Sequence, residues 1–216
     1  MKNVLIVAAH PDDEVLGCAG TILKHVSSGD NVSVCIVTVA DESWPDDYKQ
    51  EKIREAKSVD KVLGVKERFY CGLPTTRLNC LPSCEINNKI YEVFNIVNPD
   101  IVYTHFGDDV NEDHRVIFNS VLVCSRPLKK LISLRCFETV SSTEWGNKHF
   151  APNFYVVLEK NEVLKKIEAF SIYKSEVKKY PHPRSLKGLK NLAKKRGNEI
   201  CKKYAEAFII VNEHWC

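Results

Sequence analysis

No stretch of this 216-residue sequence approaches the ~20 consecutive apolar residues that a membrane-spanning helix needs. The N-terminal apolar run, residues 4–9, is short and passes at once into His10-Pro11-Asp12-Asp13-Glu14. A secretory leader calls for a longer apolar stretch and a small-residue cleavage site. Neither span nor leader is therefore expected, and the cytoplasm is the expected compartment. No Gly-x-Gly-x-x-Gly follows the first apolar run, which argues against a dinucleotide-binding module. No Cys-x-x-Cys occurs among the nine cysteines. The nearest pair, Cys80 and Cys84, has no second pair to complete a structural zinc site. Most of the cysteines lie in apolar runs, where a reduced thiol acts as a small hydrophobe, in keeping with a reducing compartment. Excess charge is scarce too: the formal net charge of +3 is too small to argue for a nucleic-acid partner. The Lys/Arg-rich run 187–203 reads as the wet face of a terminal helix, with a phosphate-bearing substrate as the sharper alternative. Repeats, linkers and low-complexity segments are absent.

What is present is ordinary for a soluble globular protein: 44% apolar and 27% charged residues. The length suits one domain, residues 1–216. Short apolar runs at 3–9, 31–40, 67–71 and 101–105 read as strands buried on both faces. Amphipathic segments at 14–28, 47–63, 86–97 and 113–124 read as the helices between them. This alternation predicts an α/β fold, a Rossmann-like three-layer αβα sandwich with a mostly parallel sheet. The C-terminal part is less regular, with strands at 133–138, 153–158 and 207–211 and helices at 162–173 and 186–204. It is expected to complete the sheet edge and wall a pocket.

Two polar clusters carry the chemistry. His10-Pro11-Asp12-Asp13-Glu14 follows the first strand, and His105-Phe106-Gly107-Asp108-Asp109-Val110-Asn111-Glu112-Asp113-His114 follows the fourth. Taken singly, an Asp-Asp-Glu run is most often an N-cap with charges favourable to the helix dipole. If the two strands are neighbours at the point where strand order reverses, both loops face one crevice. Imidazoles and carboxylates then form the ligand set of a hydrolytic metal site with a position left open for water. His10 and Asp13, three apart on a turn entering a helix, can point the same way. Asp12 between them is free to act as a general base, and His114 can supply the third ligand.

At this level the chain resembles a known family. Ala9-His10-Pro11-Asp12-Asp13-Glu14 resembles the signature of the LmbE-like, or PIG-L, zinc deacetylases, which include the N-acetylglucosaminyl-phosphatidylinositol de-N-acetylases. Asp113-His114-Arg115 looks like the second metal motif of that family. Leu73-Pro74-Thr75-Thr76-Arg77, Phe137-Glu138 with Ser141-Ser142-Thr143-Glu144-Trp145, Pro181-His182-Pro183-Arg184-Ser185 and Ala205-Glu206-Ala207-Phe208 look like a bacterial-type branch. The resemblance implies Zn2+ on His10, Asp13 and His114, with other divalent ions admitted, and Asp12 as the base. It implies removal of the N-acetyl group from an amino sugar or nucleotide sugar, releasing acetate and a free amine. Asn111 stands where many relatives carry a histidine, and an amide can donate a hydrogen bond but cannot deliver a proton. His182 is the candidate to polarise the carbonyl alongside Asn111. Arg77, Arg126, Glu144, Trp145 and Arg184 are candidate substrate contacts, since an Arg fork suits a diphosphate and a Trp face suits a ring. A homo-oligomer stays open. The alternatives are an amidase for another N-acyl substrate and a metal-binding interaction protein whose catalysis has decayed, the latter suggested by Asn111.

Overall fold

The computed structural model describes residues 1–39, 45–127 and 130–214. In chain order it contains β1 (Asn3–Ala8), α1 (Asp13–Ser27), β2 (Asn31–Val39), α2 (Asp46–Leu63), β3 (Glu67–Pro74), α3 (Ser83–Val97), β4 (Ile101–His105), α4 (Glu112–Cys124), β5 (Ser133–Phe137), β6 (Phe154–Val157), α5 (Lys160–Ile172), α6 (Leu186–Asn198) and β7 (Ala205–Asn212). Short 3-10 turns at Leu78–Cys80 and Thr143–Trp145 interrupt two of the loops.

The strands form one sheet in the order β3-β2-β1-β4-β5-β7-β6. Strands β1 to β5 pair in parallel, and β7 runs antiparallel to both β5 and β6. The mostly parallel sheet expected from the alternating pattern is therefore present, and β6 and β7 extend the same sheet. β1 shows why its residues are continuously apolar. Val4, Ile6 and Ala8 pack on the α1/α2/α5 side, while Leu5, Val7 and Ala9 pack on the α3/α4 side. With period 2, a strand covered on both faces has no position left for a polar side chain.

Helix α1 lies unusually close to the C-terminal part of the chain. A Cβ on Gly17 would stand 2.3 Å from the Phe137 ring, and one on Gly20 would stand 2.5 Å from Leu158. Glu206 of β7 exploits that closeness. Its buried carboxylate accepts from the Gly20 and Thr21 amides at 3.0 and 2.7 Å and from the Thr21 hydroxyl at 2.7 Å. Lys166 of α5 donates to Glu206 at 2.6 Å and to the Leu16 carbonyl at 2.7 Å. The buried ion pair thus reaches both the Gly20 N–H and the Leu16 C=O of α1 from outside the helix.

Some element boundaries differ from expectation. β3 runs on to Pro74 rather than ending at residue 71: Gly72 takes a φ of +73°, and the register shift between Ile36 and Thr38 lets Leu73 and Pro74 rejoin β2. The last helix ends at Asn198, not 204. Gly197 is approached by the Lys202 carbonyl and the Tyr204 amide, which the chain reaches by turning back through Cys201 at φ 55°. The strand expected at 31–40 is described to Val39, and residue 40 lies outside the described residues. Among the described residues no helix is long and apolar enough to cross a membrane, and all described cysteines are free thiols.

Candidate metal centre and active-site cavity

β1 pairs with β4 on one side and with β2 on the other, so strand order reverses between β1 and β4. Their carboxyl ends bring the two polar loops face to face, as such switch points do. Pro11 fixes φ in the first loop, and α1 begins two residues later. Asn111 caps α4 by accepting from the Asp113 amide at 2.9 Å, which sets the first turn of α4, with Asp113 and His114, against the first loop.

His10 Nδ1 lies 3.2 Å from Asp13 Oδ2, and His114 Nε2 lies 3.4 Å from the same oxygen. The three residues offer ligand atoms that all lie within 4.8 Å of one another. Tetrahedral zinc ligands about 2.0–2.1 Å from an ion stand about 3.4 Å apart. Asp13 Oδ1 and both ring nitrogens of His114 are buried and have no hydrogen-bond partner. Buried polar atoms almost always find partners. Two imidazoles and a carboxylate converging in this way form a donor set that fits a divalent cation.

Carboxylates behind the ligands fix their orientation. His10 Nε2 lies 3.1 Å from Asp113 Oδ2, which directs Nδ1 inward. Asp113 is in turn held by the Thr76 and Leu78 amides at 2.7 and 3.3 Å. His114 Nδ1 faces Asp109 Oδ1 at 3.3 Å, off the hydrogen-bond axis. Asp109 accepts from the Asn111 amide at 2.8 Å, the Thr143 hydroxyl at 2.6 Å and the Ser142 hydroxyl.

The electrostatics follow from this crowding. Burial disfavours a charged His10, yet its hydrogen bonds to Asp113 and Asp13 push its pKa up to about 10. For His114 burial is likewise outweighed, by the charges of Asp13 and Asp109, and its pKa rises. Burial would raise Asp13, but His114, His105 and His10 hold its carboxyl well below the usual range. Asp109, though buried, is brought down to about 2 by His114, Ser142 and Thr143. Asp12 goes the other way. Burial and the Asp13 charge beside it push its carboxyl well above the usual range, against the pull of Arg184.

A cavity of about 320 Å³ opens beside these groups, lined by His10, Asp12, Asn111 and Arg184, with Tyr48 and Tyr70 on its wall. Asp12 is only 2% exposed, and its Oδ2 accepts from Arg184 Nη1 at 3.0 Å. The same nitrogen reaches Glu176 at 3.2 Å, and Arg184 Nε donates to Ser141 at 2.8 Å.

The remaining expected contacts fall elsewhere. His182 is exposed and does not line the cavity; its Nδ1 accepts from the Arg184 amide at 3.0 Å. Arg126 is misplaced as a substrate contact. α4 starts at the site and carries the chain about 20 Å away over its 13 residues, where Arg126 Nε donates to the Val123 carbonyl. Trp145 is 73% exposed and lines no described cavity wall at the metal centre. Glu144 accepts from the Ser141 and Ser142 amides at 2.7 and 3.2 Å, shaping the turn that presents Ser142 and Thr143 to Asp109. Arg77 is exposed beside Thr76, and it is Thr76 that lines the cavity. Sequence reasoning missed Asp109, Asp113 and His105 as supports, although all three stand in the second cluster it singled out.

A family profile described as PIG-L, GlcNAc-PI de-N-acetylase, matches residues 5–125, more than half of the chain. The chain belongs to the PIG-L family. The family description and the curated relatives are those of deacetylases, and the chain is an enzyme of that class, a hydrolase of amide bonds. The uncharacterized deacetylase YaiS of Escherichia coli K12 is 22% identical over 182 residues, covering 81% of this chain and 91% of YaiS. The fold is shared with N,N'-diacetylchitobiose deacetylase of Pyrococcus horikoshii: TM-score 0.77, 22% identity, 97% of this chain and 84% of that one. It is shared as well with GalB, the 4-carboxy-2-hydroxymuconate hydratase of Pseudomonas putida KT2440: TM-score 0.77, 17% identity, 100% and 98% coverage. One architecture thus carries hydrolysis in one structural neighbour and hydration in another, so the fold alone does not give the substrate, which has to be argued from the site.

Proposed function

We propose that this PIG-L member removes the N-acetyl group from a GlcNAc-like amino sugar with the help of a zinc ion held by His10, Asp13 and His114, with Asp12 as general base. The observation that supports this most directly is the convergence of His10 Nδ1 and His114 Nε2 on Asp13 Oδ2 next to a buried Asp12 that faces a cavity. A divalent ion bound there supplies a Lewis acid for the acetyl carbonyl and the attacking water. Asp12 takes the proton of that water; its raised pKa suits both accepting the proton and passing it on to the leaving amine. The Asn111 side-chain oxygen is occupied by the Asp113 amide, so its NH2 is the end that donates to the oxyanion. Losing such a donor costs about 3 kcal/mol of transition-state stabilisation. Arg184 holds the Asp12 carboxylate toward the cavity.

Two of the cations lining the cavity, Arg184 and Lys52, bear on the substrate. Arg184 faces Asp12 and Glu176, and Lys52 faces Glu55 and Glu176. Both charges are already matched by carboxylates, which favours an uncharged amino-sugar glycoside over a nucleotide-linked one. The test is free-amine release from neutral N-acetylglucosaminides and from an N-acetylated nucleotide sugar, alongside metal analysis of the protein. Amine release that needs bound metal and is lost in Asp12→Asn is the expected result. Metal-loaded protein that releases no amine from either class would overturn the proposal.

A further inference from the structure

Asp12 sits at the N-cap position of α1 but does not act as a cap. A capping residue normally has extended backbone and turns its side chain onto the first helix amides. Asp12 has φ 123° and ψ −29°, and its side chain makes no cap hydrogen bond. Positive φ of this size is a region that non-glycine residues avoid because of their Cβ, and a residue held there must be held by its surroundings. The conformation turns the carboxylate away from the helix and toward Arg184 and the cavity.

One side chain is built to hold it. Glu14 is fully buried, and its Oε2 accepts the Asp12 backbone N–H at 3.0 Å. Its other oxygen, Oε1, accepts from Arg68 Nη2 at 3.0 Å and from the Tyr173 hydroxyl at 2.8 Å. Arg68, its side chain 4% exposed, is clamped by Asp60 through Nε and Nη2. The carboxylate is thereby fixed from α2, β3 and the end of α5 before it meets Asp12. A negative charge in the first turn of a helix needs no such apparatus, since the dipole favours it in water.

We infer that Glu14 is a positioning residue, which holds the strained backbone of Asp12 so that its carboxylate faces the reacting groups. This rests on the reading of Asp12 as the base. Glutamine at position 14 offers one acceptor oxygen where two are needed. Arg68 and Tyr173 claim that oxygen, because they bring a charge and a hydroxyl, and the NH2 is left facing the Asp12 N–H. Aspartate keeps the charge against Arg68 but is one methylene too short to span both partners.

The experiment measures kcat, KM and bound metal for Glu14→Gln, Glu14→Asp and Tyr173→Phe, each normalised to folded protein. Displacement of a reacting group by about 1 Å can cost a hundredfold in rate. The two Glu14 variants are therefore expected to lose roughly tenfold to a hundredfold in kcat, with KM and metal content close to wild type. Tyr173→Phe removes one of the two bonds to Oε1 and is expected to lose stability, a bond to a charged acceptor being worth about 1.5–3 kcal/mol, with a smaller loss of kcat than either Glu14 variant. Glu14→Asp retains the ion pair with Arg68 and so remains informative if Glu14→Gln does not fold. A folded, metal-loaded Glu14→Asp protein with kcat within twofold of wild type overturns the inference, as does a rise in KM alone. Full turnover in Asp12→Asn would remove the base assignment itself, and Asp12→Asn inactive beside an active Glu14→Asp would remove only the role of Glu14.

Discussion

The rings of His105 and His114 stack with their centroids 3.8 Å apart and their planes 15° from parallel. His105 is fully buried at the end of β4, its Nε2 accepts the Ala9 amide at 2.8 Å, and its Nδ1 lies 3.3 Å from the Thr139 hydroxyl. Burial, with the His114 charge beside it, holds its pKa well below the usual range, so it stays a neutral plate. That plate fixes the plane of the His114 ring. His105→Phe keeps a flat ring but strands the Ala9 N–H, and is expected to cost about 1–3 kcal/mol of stability with metal affinity near wild type. His105→Ala removes the support as well, and its metal affinity is expected to fall about tenfold to a hundredfold. Denaturant unfolding and competition with a metal chelator measure the two effects. Wild-type affinity in His105→Ala would show that His114 needs no stacking partner.

With His10 and His114 as the proposed ligands, metal binding is coupled to protons. In the metal-free protein the pKa of His10 stands at about 10, and that of His114 is also raised. At pH 7–8 His10 therefore carries a proton on a ring whose Nδ1 the metal needs. Proton and metal compete, so affinity falls as the pH is lowered and rises toward pH ~10, by about tenfold per pH unit for each proton displaced. Calorimetric titration of zinc in buffers with different ionisation heats should show release of at least one proton near pH 7.5. Buffer-independent heats would mean that His10 is already neutral and that its pairing with Asp113 is weaker than the 3.1 Å contact implies.

Arg184 and His182 are neighbours in the chain with opposite exposures to the cavity. Arg184→Ala frees the Asp12 carboxylate from a charge-assisted bond worth about 1.5–3 kcal/mol, so kcat is expected to drop about tenfold to a hundredfold. His182→Ala loses only an acceptor for the Arg184 amide on an exposed loop, and turnover within about threefold of wild type is expected, because such a bond contributes about 1 kcal/mol. Steady-state kinetics on one amino-sugar substrate decides between them. A hundredfold loss in His182→Ala with Arg184→Ala unaffected would return the polarising role to the histidine.

The convergence of His10, Asp13 and His114 was legible in the sequence because these residues are local to two strand ends. A strand, a turn and a helix N-terminus put His10 and Asp13 together by covalent geometry alone, and only the β1–β4 pairing had to be guessed. The placements of His182 and Arg126, away from the cavity, were not legible for a different reason. Their positions depend on how a loop packs and on where a helix points after leaving the site, and neither leaves a periodic signal. Arg184, two residues beyond His182, is among the expected substrate contacts and does line the cavity, but its bond to Asp12 leaves no signal in the motif order. Ala205-Glu206-Ala207-Phe208 was noticed as a pattern, but its purpose lies 185 residues away at Thr21, a contact that no local rule predicts.

That last contact yields the strongest expectation about stability. Glu206 and Lys166 are each about 5% exposed and bonded at 2.6 Å. The carboxylate also serves two amides of α1. Breaking one side of a buried pair costs about 3–5 kcal/mol, because the other charge remains buried. Glu206→Gln is therefore expected to lower stability by about that amount, since its amide can replace only one of the acceptor oxygens and none of the charge. Lys166→Met should cost less, because Glu206 keeps its three donors in α1. Joining the two changes should recover part of the Glu206→Gln loss, as Lys166 no longer needs a counter-ion. Urea unfolding of the two single variants and the double variant gives the coupling directly. Strict additivity would mean that the pair acts through the helix amides alone and that its charges do not sense each other. Because Asp13 lies one turn ahead of the Leu16 carbonyl that Lys166 holds, metal affinity measured on the same variants tests whether this ion pair also sets the position of the ligand turn.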